Sequence, residues 1–390
     1  MKTVYMDNNA TTKVSTEVMG AMLPYMSRYY GNPSSSHAIG SEVREKIDEA
    51  RTHVADLIGA EPEEIIFTSG GTESDNTAIR SAISLHPDRK TIVTSSVEHP
   101  AIRSLCSNLG KRGYRIIEIP VNRHGELDIE EYGKSLNEDT AIASIMWANN
   151  ETGVLFPVEK AAEMARERGI IFHTDAVQAA GKIEINLRNS AVDMLSLSGH
   201  KIHGPKGIGV LYVRSGTPFS PLMIGGHQEA GRRAGTENTP GIIGLGKASE
   251  LAYSRLGENS FRIRKLRNRL EKGIAVSVPE ISINGHGAQR LPNTSNISFE
   301  NIDGESVLLL LDEIGVAAST GSACSSGSPD PSHVLLAMGL SPLKAKSSLR
   351  FSLGIDSSDE DVDLVLEHLP GIIEKLRSIS PLWNHKQKAA

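Results

Sequence analysis

The chain has 390 residues, 39% of them hydrophobic, and a formal net charge of −6, which suits a soluble protein of two or three domains with sizeable cores. Its charges are interspersed, with no basic run to attract nucleic acid or a membrane surface, and no stretch approaches the ~18 apolar residues of a membrane span. The first residues lack an apolar leader core, and two cysteines, Cys106 and Cys324, are too few for a disulfide framework or a cysteine-rich zinc site, so the expectation is a cytoplasmic protein without a metal.

In chain order, Ser34, Ser35 and Ser36 offer capping hydroxyls ahead of a helix over 39–58, whose apolar stripe is Val43, Ile47, Ala50, Val54 and Leu57. Strand-like runs follow at 65–68, 91–94, 115–118, 141–146, 170–174 and 194–197. Helical segments lie between or after them, near 73–86, 100–112, 128–136 and 157–168. This alternation predicts a mostly parallel sheet covered on both faces. Residues 207–213 read as one more strand, glycine-rich at its start. After Pro240 the texture changes to a long helical stretch over 241–273, strands at 295–299 and 348–352, and helices near 304–313 and 359–376. That predicts a smaller α+β domain, with the boundary inside the 241–273 helix.

Chemistry-bearing residues cluster where strands end. Gly70 and Gly71 follow a strand and open a helix that Thr72 can cap; the free N–H groups suit a phosphate, although a capped helix end reads the same way. His99 also follows a strand, placed to stack on a flat cofactor, move a proton or merely cap a helix. Asn149 and Asn150 close the 141–146 run and belong to a turn or a site. Asp175 closes another, with Gln178 three residues on, and Lys201 follows a third. A lysine and an aspartate at strand ends can converge on one crevice. A Schiff-base lysine, with an aspartate on a pyridinium nitrogen, is what pyridoxal phosphate chemistry needs. Lys206 competes for the lysine role but sits in a Gly-Pro turn, where solvent exposure is expected.

The Gly- and Arg-rich stretch 225–238, which includes Thr236, is a functional loop or a salt-bridged surface excursion. Cys324 lies in a small, polar run without periodicity, as a reactive or an inert loop thiol. Cys106 lies among Ile102, Leu105 and Leu109 and reads as a small core residue. Arg350 interrupts an apolar strand; its fork fits a substrate carboxylate or an ion pair to the other domain.

Together with Tyr5-Met6-Asp7-Asn8-Asn9-Ala10-Thr11-Thr12, Gly31-Asn32-Pro33-Ser34-Ser35 and Ser348-Leu349-Arg350-Phe351-Ser352-Leu353-Gly354, these residues resemble the group I cysteine desulfurases, over nearly the whole chain. The resemblance implies a fold-type-I pyridoxal-phosphate-dependent transferase. Residues 15–255 would form the large, mostly parallel α/β domain, and 1–14 with 256–390 the small α+β domain carrying the catalytic-cysteine loop. It implies a homodimer that converts L-cysteine to L-alanine and passes sulfur through a Cys324 persulfide to an iron–sulfur scaffold or another acceptor protein. Lys201 would carry the cofactor and shuttle protons, His99 stack on its ring, Asp175 pair with its nitrogen and Gln178 contact its phenolic oxygen. Gly71, Thr72, Ser198 and His200 would bind the phosphate, with Thr236 reaching it from the other subunit. Asn150 and Arg350 would hold the substrate carboxylate. The run from Cys324 to His333 is similar to the long-loop members, and the short tail after Pro381-Leu382-Trp383 to the nitrogen-fixation type. A selenocysteine lyase or an aminotransferase on the same fold is the alternative.

Overall fold

Apolar and β-branched runs between amphipathic helices fold as a layered α/β structure with a smaller α+β part. The structure, a computed structural model, describes residues 3–320, 330–381 and 383. The first elements are β1 (Val4–Tyr5), α1 (Thr16–Met22), α2 (Pro24–Ser27), α3 (Ala38–Ile58), β2 (Ile65–Thr68), α4 (Gly71–Leu85), β3 (Thr91–Ser95), α5 (Pro100–Gly110), β4 (Arg115–Ile119) and α6 (Ile129–Ser135). Then come β5 (Thr140–Ser144), α7 (Val158–Arg166), β6 (Ile171–Asp175), β7 (Met194–Ser198), β8 (Gly209–Val213), α8 (Thr239–Ser254) and α9 (Leu256–Ser277). The chain continues with β9 (Ile281–Asn284), β10 (Thr294–Phe299), α10 (Gly304–Glu313), β11 (Val316–Ala317), β12 (Ser319–Thr320), α11 (His333–Ala337), α12 (Pro342–Lys346), β13 (Ser348–Ser352) and α13 (Asp359–Ile379).

Seven strands form the central sheet in the order β2-β8-β7-β6-β5-β3-β4. Only β8 runs antiparallel to its neighbours, β2 and β7; the rest are parallel, as the alternation predicts. Five consecutive buried residues in each of β3, β5, β6 and β7 are what a sheet covered on both faces requires. On one face Ile79, Leu105 and Cys106 pack on Ile66, Ile92 and Leu211. On the other, Val54, Ala162 and Leu245 pack on Phe172 and Leu195. A second core joins Val4 and Met6 to Ile263, Leu270, Phe299, Phe351 and Val365. It covers an antiparallel sheet, β12-β13-β10-β9.

Three local expectations are corrected. The cap of α3 is His37, whose Nδ1 accepts from Gly40 N–H at 3.2 Å, and not one of the three serines. An imidazole nitrogen can accept at a helix start as a hydroxyl does. The cap position of α4 is Gly70, and Thr72 lies inside the helix. The 241–273 helix is two helices broken at Arg255, whose φ of −110° and ψ of 9° leave the helical region. No proline marks the break, so the hydrophobic period runs across it.

Candidate active site

The N-terminus of α4 is built to receive an anion. Gly70 has φ +152° and ψ 179°, a conformation open to glycine, and no side chain caps the helix. A Cβ on Gly71 would stand 2.8 Å from Val177 Cγ2, and a Cβ on Gly209 would stand 2.6 Å from Gly70 Cα. The glycines therefore let β8, Val177 and the first turn of α4 close on one another, with the N–H groups of that turn left without intrahelical partners. Ser198, buried at the end of β7, places its Oγ 3.9 Å from where a Gly70 Cβ would be. His200 follows in the turn Gly199–Lys201, its Nδ1 3.1 Å from Thr11 Oγ1. Burial, helped by the charge of Lys201, pushes His200 down to about 4, so it is neutral near pH 7 and acts through hydrogen bonds.

Asp175 and Lys201 come from adjacent parallel strands. Asp175 pairs in register with Ser196, and Lys201 sits just past the end of β7. Lys201 Nζ donates to the carbonyls of Asn9 and Ala10 at 2.5 and 2.8 Å. Asp175 is buried and accepts from Val177 N–H at 2.9 Å. Burial raises its pKa, while His99 and Lys201 pull it back toward the charged form. Behind it lies Asp75, pushed well above the usual carboxylate range by burial and by the Asp175 charge. Its Oδ1 has no hydrogen-bond partner. Glu98 is also buried and is pushed up to about 8. Its Oε1 accepts from Ser95 Oγ at 2.6 Å and Met146 N–H at 2.9 Å. A carboxylate cluster this deep favours a cation beside Asp175.

His99 caps α5 through Nδ1, which accepts from Ala101 N–H at 3.2 Å. The capping alternative is thus real, and it also fixes the ring beside Asp175. Gln178, buried, donates from Nε2 to the Asn9 carbonyl at 3.0 Å. Arg350 is fully buried. Its Nη2 meets Asp7 Oδ1 at 2.7 Å and its Nη1 donates to the Asn150 carbonyl at 3.1 Å, while Nε has no partner. Arg350 is therefore ion-paired, with a partner in the 1–14 segment expected to share its domain and not in the other domain, and it lies against Asn150. The neighbouring Asn149 makes the turn, its Oδ1 accepting from Glu151 and Thr152 N–H.

Not every expected residue joins this group. Thr236 is exposed. Its loop is tied to the chain by Arg51 to Glu229, Arg232 to the Ile65 carbonyl and Arg233 to Glu73. Thr72 is in the first turn of α4 but does not cap it. Lys206 is exposed, and Cys106 is buried with its thiol pushed up to about 12 by burial. Cys324 lies outside the described residues. The residue-level reading missed Asn9, which is quoted only within a motif. Its Nδ2 donates to Asn150 O and Thr294 Oγ1, its Oδ1 accepts from Asn293, and its carbonyl accepts from Lys201 and Gln178. The paired Asn8-Asn9 ahead of an Ala-Thr-Thr turn was the available signal.

These residues fit pyridoxal phosphate. The glycine cradle and uncapped helix end suit its phosphate, Asp175 suits a protonated ring nitrogen, and Lys201 stands between. The comparisons agree. Residues 4–365 match the Aminotransferase class-V family. The chain is 52% identical over 385 residues to the cysteine desulfurase NifS of Azotobacter vinelandii, covering 98% of this chain and 96% of that one. Among solved structures, a NifS-like protein superposes with a TM-score of 0.90 at 38% identity, over 96% of this chain and 100% of that one. The structure titled SspA in complex with cysteine superposes with a TM-score of 0.80 at 36% identity, over 90% and 99%. With a site of this composition on this fold, the chain belongs to the class-V aminotransferase family and, within it, to the NifS-type cysteine desulfurases.

Proposed function

We propose that the protein is a pyridoxal-phosphate-dependent cysteine desulfurase that turns L-cysteine into L-alanine and keeps the sulfur as a persulfide on Cys324. The observation that carries this reading is the convergence of Lys201, Asp175, His99 and the uncapped glycine end of α4 at the carboxyl ends of one sheet's strands. Gly71, Thr72, Ser198 and His200 would hold the phosphate. Asp175 would hold the ring nitrogen in its cationic form, and His99, fixed by its cap, would stack on the ring. Gln178 would donate to the ring oxygen. Arg350 and Asn150 orient the substrate carboxylate, which fixes the carbon–sulfur bond relative to Lys201. Bound pyridoxal phosphate supplies an electron sink joined to the substrate nitrogen.

Lys201 takes the proton from the substrate's α-carbon and returns protons to the product. The Cys324 thiolate attacks the substrate sulfur. A sulfur–sulfur bond forms, the carbon–sulfur bond breaks, and its electron pair stays on the carbon, which is protonated to give alanine. The sulfur then passes from Cys324 to an acceptor protein, such as an iron–sulfur scaffold, in the cytoplasm. Residues 15–255 form the large domain and 1–14 with 256–390 the small one; the second core draws only on the small-domain segments, although Leu291, Val334, Leu335, Met338 and Ala345 pack into the first. The working unit is a homodimer in which Thr236 completes the partner's phosphate site. In support, Leu23, Met26 and Tyr30 are 61%, 67% and 75% exposed, and Ile224, near the Thr236 loop, is 89% exposed. Apolar exposure on this scale suits a covered surface.

The test is incubation of the purified yellow protein with L-cysteine. Without reductant, alanine and a one-sulfur mass gain on the Cys324 peptide are expected; with added dithiothreitol, which reduces the persulfide, sulfide should be released in step with alanine. Borohydride should fix the cofactor to Lys201. Amino-group transfer to a keto acid without sulfide would identify an aminotransferase, and turnover restricted to selenocysteine would identify a lyase.

A further inference from the structure

Lys182 follows Gln178 by four positions in the turns after β6. Gly181, at φ +71°, permits the reversal, since a Cβ there would stand 2.9 Å from Ile202 Cγ2 and 3.2 Å from Ala252 Cβ. Ser260 Oγ donates to the Lys182 carbonyl at 2.6 Å and ties this backbone to α9. The side chain reaches a cavity of about 510 Å³ that Lys201 also lines. Of the carboxylates lining that cavity, Glu17, Glu258 and Asp356, none is ion-paired with Lys182 among the described residues. Burial first, then the charges of Lys201 and Arg350, push the Lys182 ammonium down to about 7. A cation among cations is unfavourably placed, so its hydrogen bond is informative. It donates to Gln178 Oε1 at 2.8 Å, and Gln178 Nε2 donates to the Asn9 carbonyl that also accepts from Lys201.

A glutamine amide presents an oxygen and an NH2 of nearly the same shape, and its partners decide which way it points. Below about pH 7, where Lys182 is protonated, its ammonium donates three hydrogens and accepts none. Facing Lys182, Gln178 turns its oxygen to the lysine Nζ and its NH2 toward the Asn9 carbonyl that Lys201 shares. We propose that Lys182 is a positioning residue: its hydrogen bond locks the Gln178 amide so that Gln178 donates to the ring oxygen of the cofactor carried by Lys201. This rests on the reading of Gln178 as a cofactor contact, and the test separates the two.

The measurement is an absorbance titration with pH of the cofactor-loaded protein, comparing wild type, Lys182→Met, Gln178→Leu and the double variant. A donor at the ring oxygen draws away the charge that stabilises a proton on the Lys201 linkage. Losing that donor should therefore raise the midpoint, by about half a pH unit or more for each single variant. In the double variant Lys182→Met should add almost nothing to Gln178→Leu. An equal further shift would mean that Lys182 acts through its charge alone, and the proposal would be overturned. A shift from Gln178→Leu with none from Lys182→Met would overturn it too. No shift from Gln178→Leu would instead remove the reading of Gln178 on which it rests. Should Lys182→Met fail to fold, Lys182→Gln, whose donor stops one atom short, makes the same comparison.

Discussion

The two cysteines illustrate how much a residue's surroundings decide. Cys106 is 1% exposed with its thiol pushed up to about 12, so near pH 7 it is neither nucleophile nor ligand. Cys106→Ala should cost roughly 1 kcal/mol of stability or slightly more and leave turnover intact. Cys324→Ala should keep the cofactor and still bind cysteine, yet release no sulfide. Sulfide and alanine assays on both variants check this, and full turnover by Cys324→Ala would rule out the persulfide route. Glu98 offers a test by pH. Its folded pKa, about 8, lies above the ordinary 4.5, so the folded state holds the proton more tightly than the unfolded chain. Its contribution to stability is complete below about pH 4.5 and is lost as pH rises toward 8. Glu98→Gln carries no such proton, so its melting temperature should fall less than wild type between about pH 5 and 8, a difference on the order of 1 kcal/mol per unit at most. Glu151, pushed up to about 7 by burial, acts in the same sense, so the variant's melting temperature still falls somewhat over that range. Parallel melting curves for the two proteins would contradict the burial of a protonated Glu98.

Among the elements, the strands that end at the site were legible because β3, β5, β6 and β7 are continuous apolar runs closed by polar residues. What they end in, Asp175 and Lys201, was legible for the same reason. The start of α4 was only half legible. Threonine is a common cap, but here the cap position is a glycine held at φ +152°, a conformation that side chains rarely adopt and that a sequence does not announce. The break at Arg255 left no mark either. Gly71→Ala follows from the geometry at this element. The added Cβ would meet Val177 Cγ2 at 2.8 Å, an overpacking that costs typically ~1–3 kcal/mol. The strain falls at the proposed phosphate site, so cofactor affinity should drop about tenfold or more, with a smaller change in melting temperature of the cofactor-free protein. Equilibrium dialysis of pyridoxal phosphate against both proteins measures it; unchanged affinity would separate α4 from the phosphate site.

At the scale of the molecule, Arg233 bonds Glu73 in the first turn of α4, and Glu73 accepts from Ser69 N–H at 2.8 Å. The loop proposed to serve the partner is thereby tied to the turn of this chain proposed to hold the phosphate. A variant altered at Thr236, mixed with Lys201→Ala under conditions of subunit exchange, should regain part of the activity that each lacks alone. No recovery despite proven exchange would count against a shared site. Contacts of this range were the least legible. Asn9 bonds Thr294 and Asn293 at separations of 285 and 284 residues, and Asn8 bonds the Ser352 carbonyl at 344. Neither periodicity nor spacing can reveal such pairs.

Those same long separations bear on how the molecule is made. The segment Val4 to Thr12 is synthesised well before its partners: β1 pairs with Val316 and Ala317, and Asn8 and Asn9 wait for Ser352. The central sheet can gather during synthesis while this segment still lacks its place. Lys201 meets the carbonyls of Asn9 and Ala10 only once that place exists, so the lysine proposed to carry the cofactor is finished by residues translated well after it. A nascent chain released early would own a sheet and a lysine, but not the crevice that makes the lysine useful.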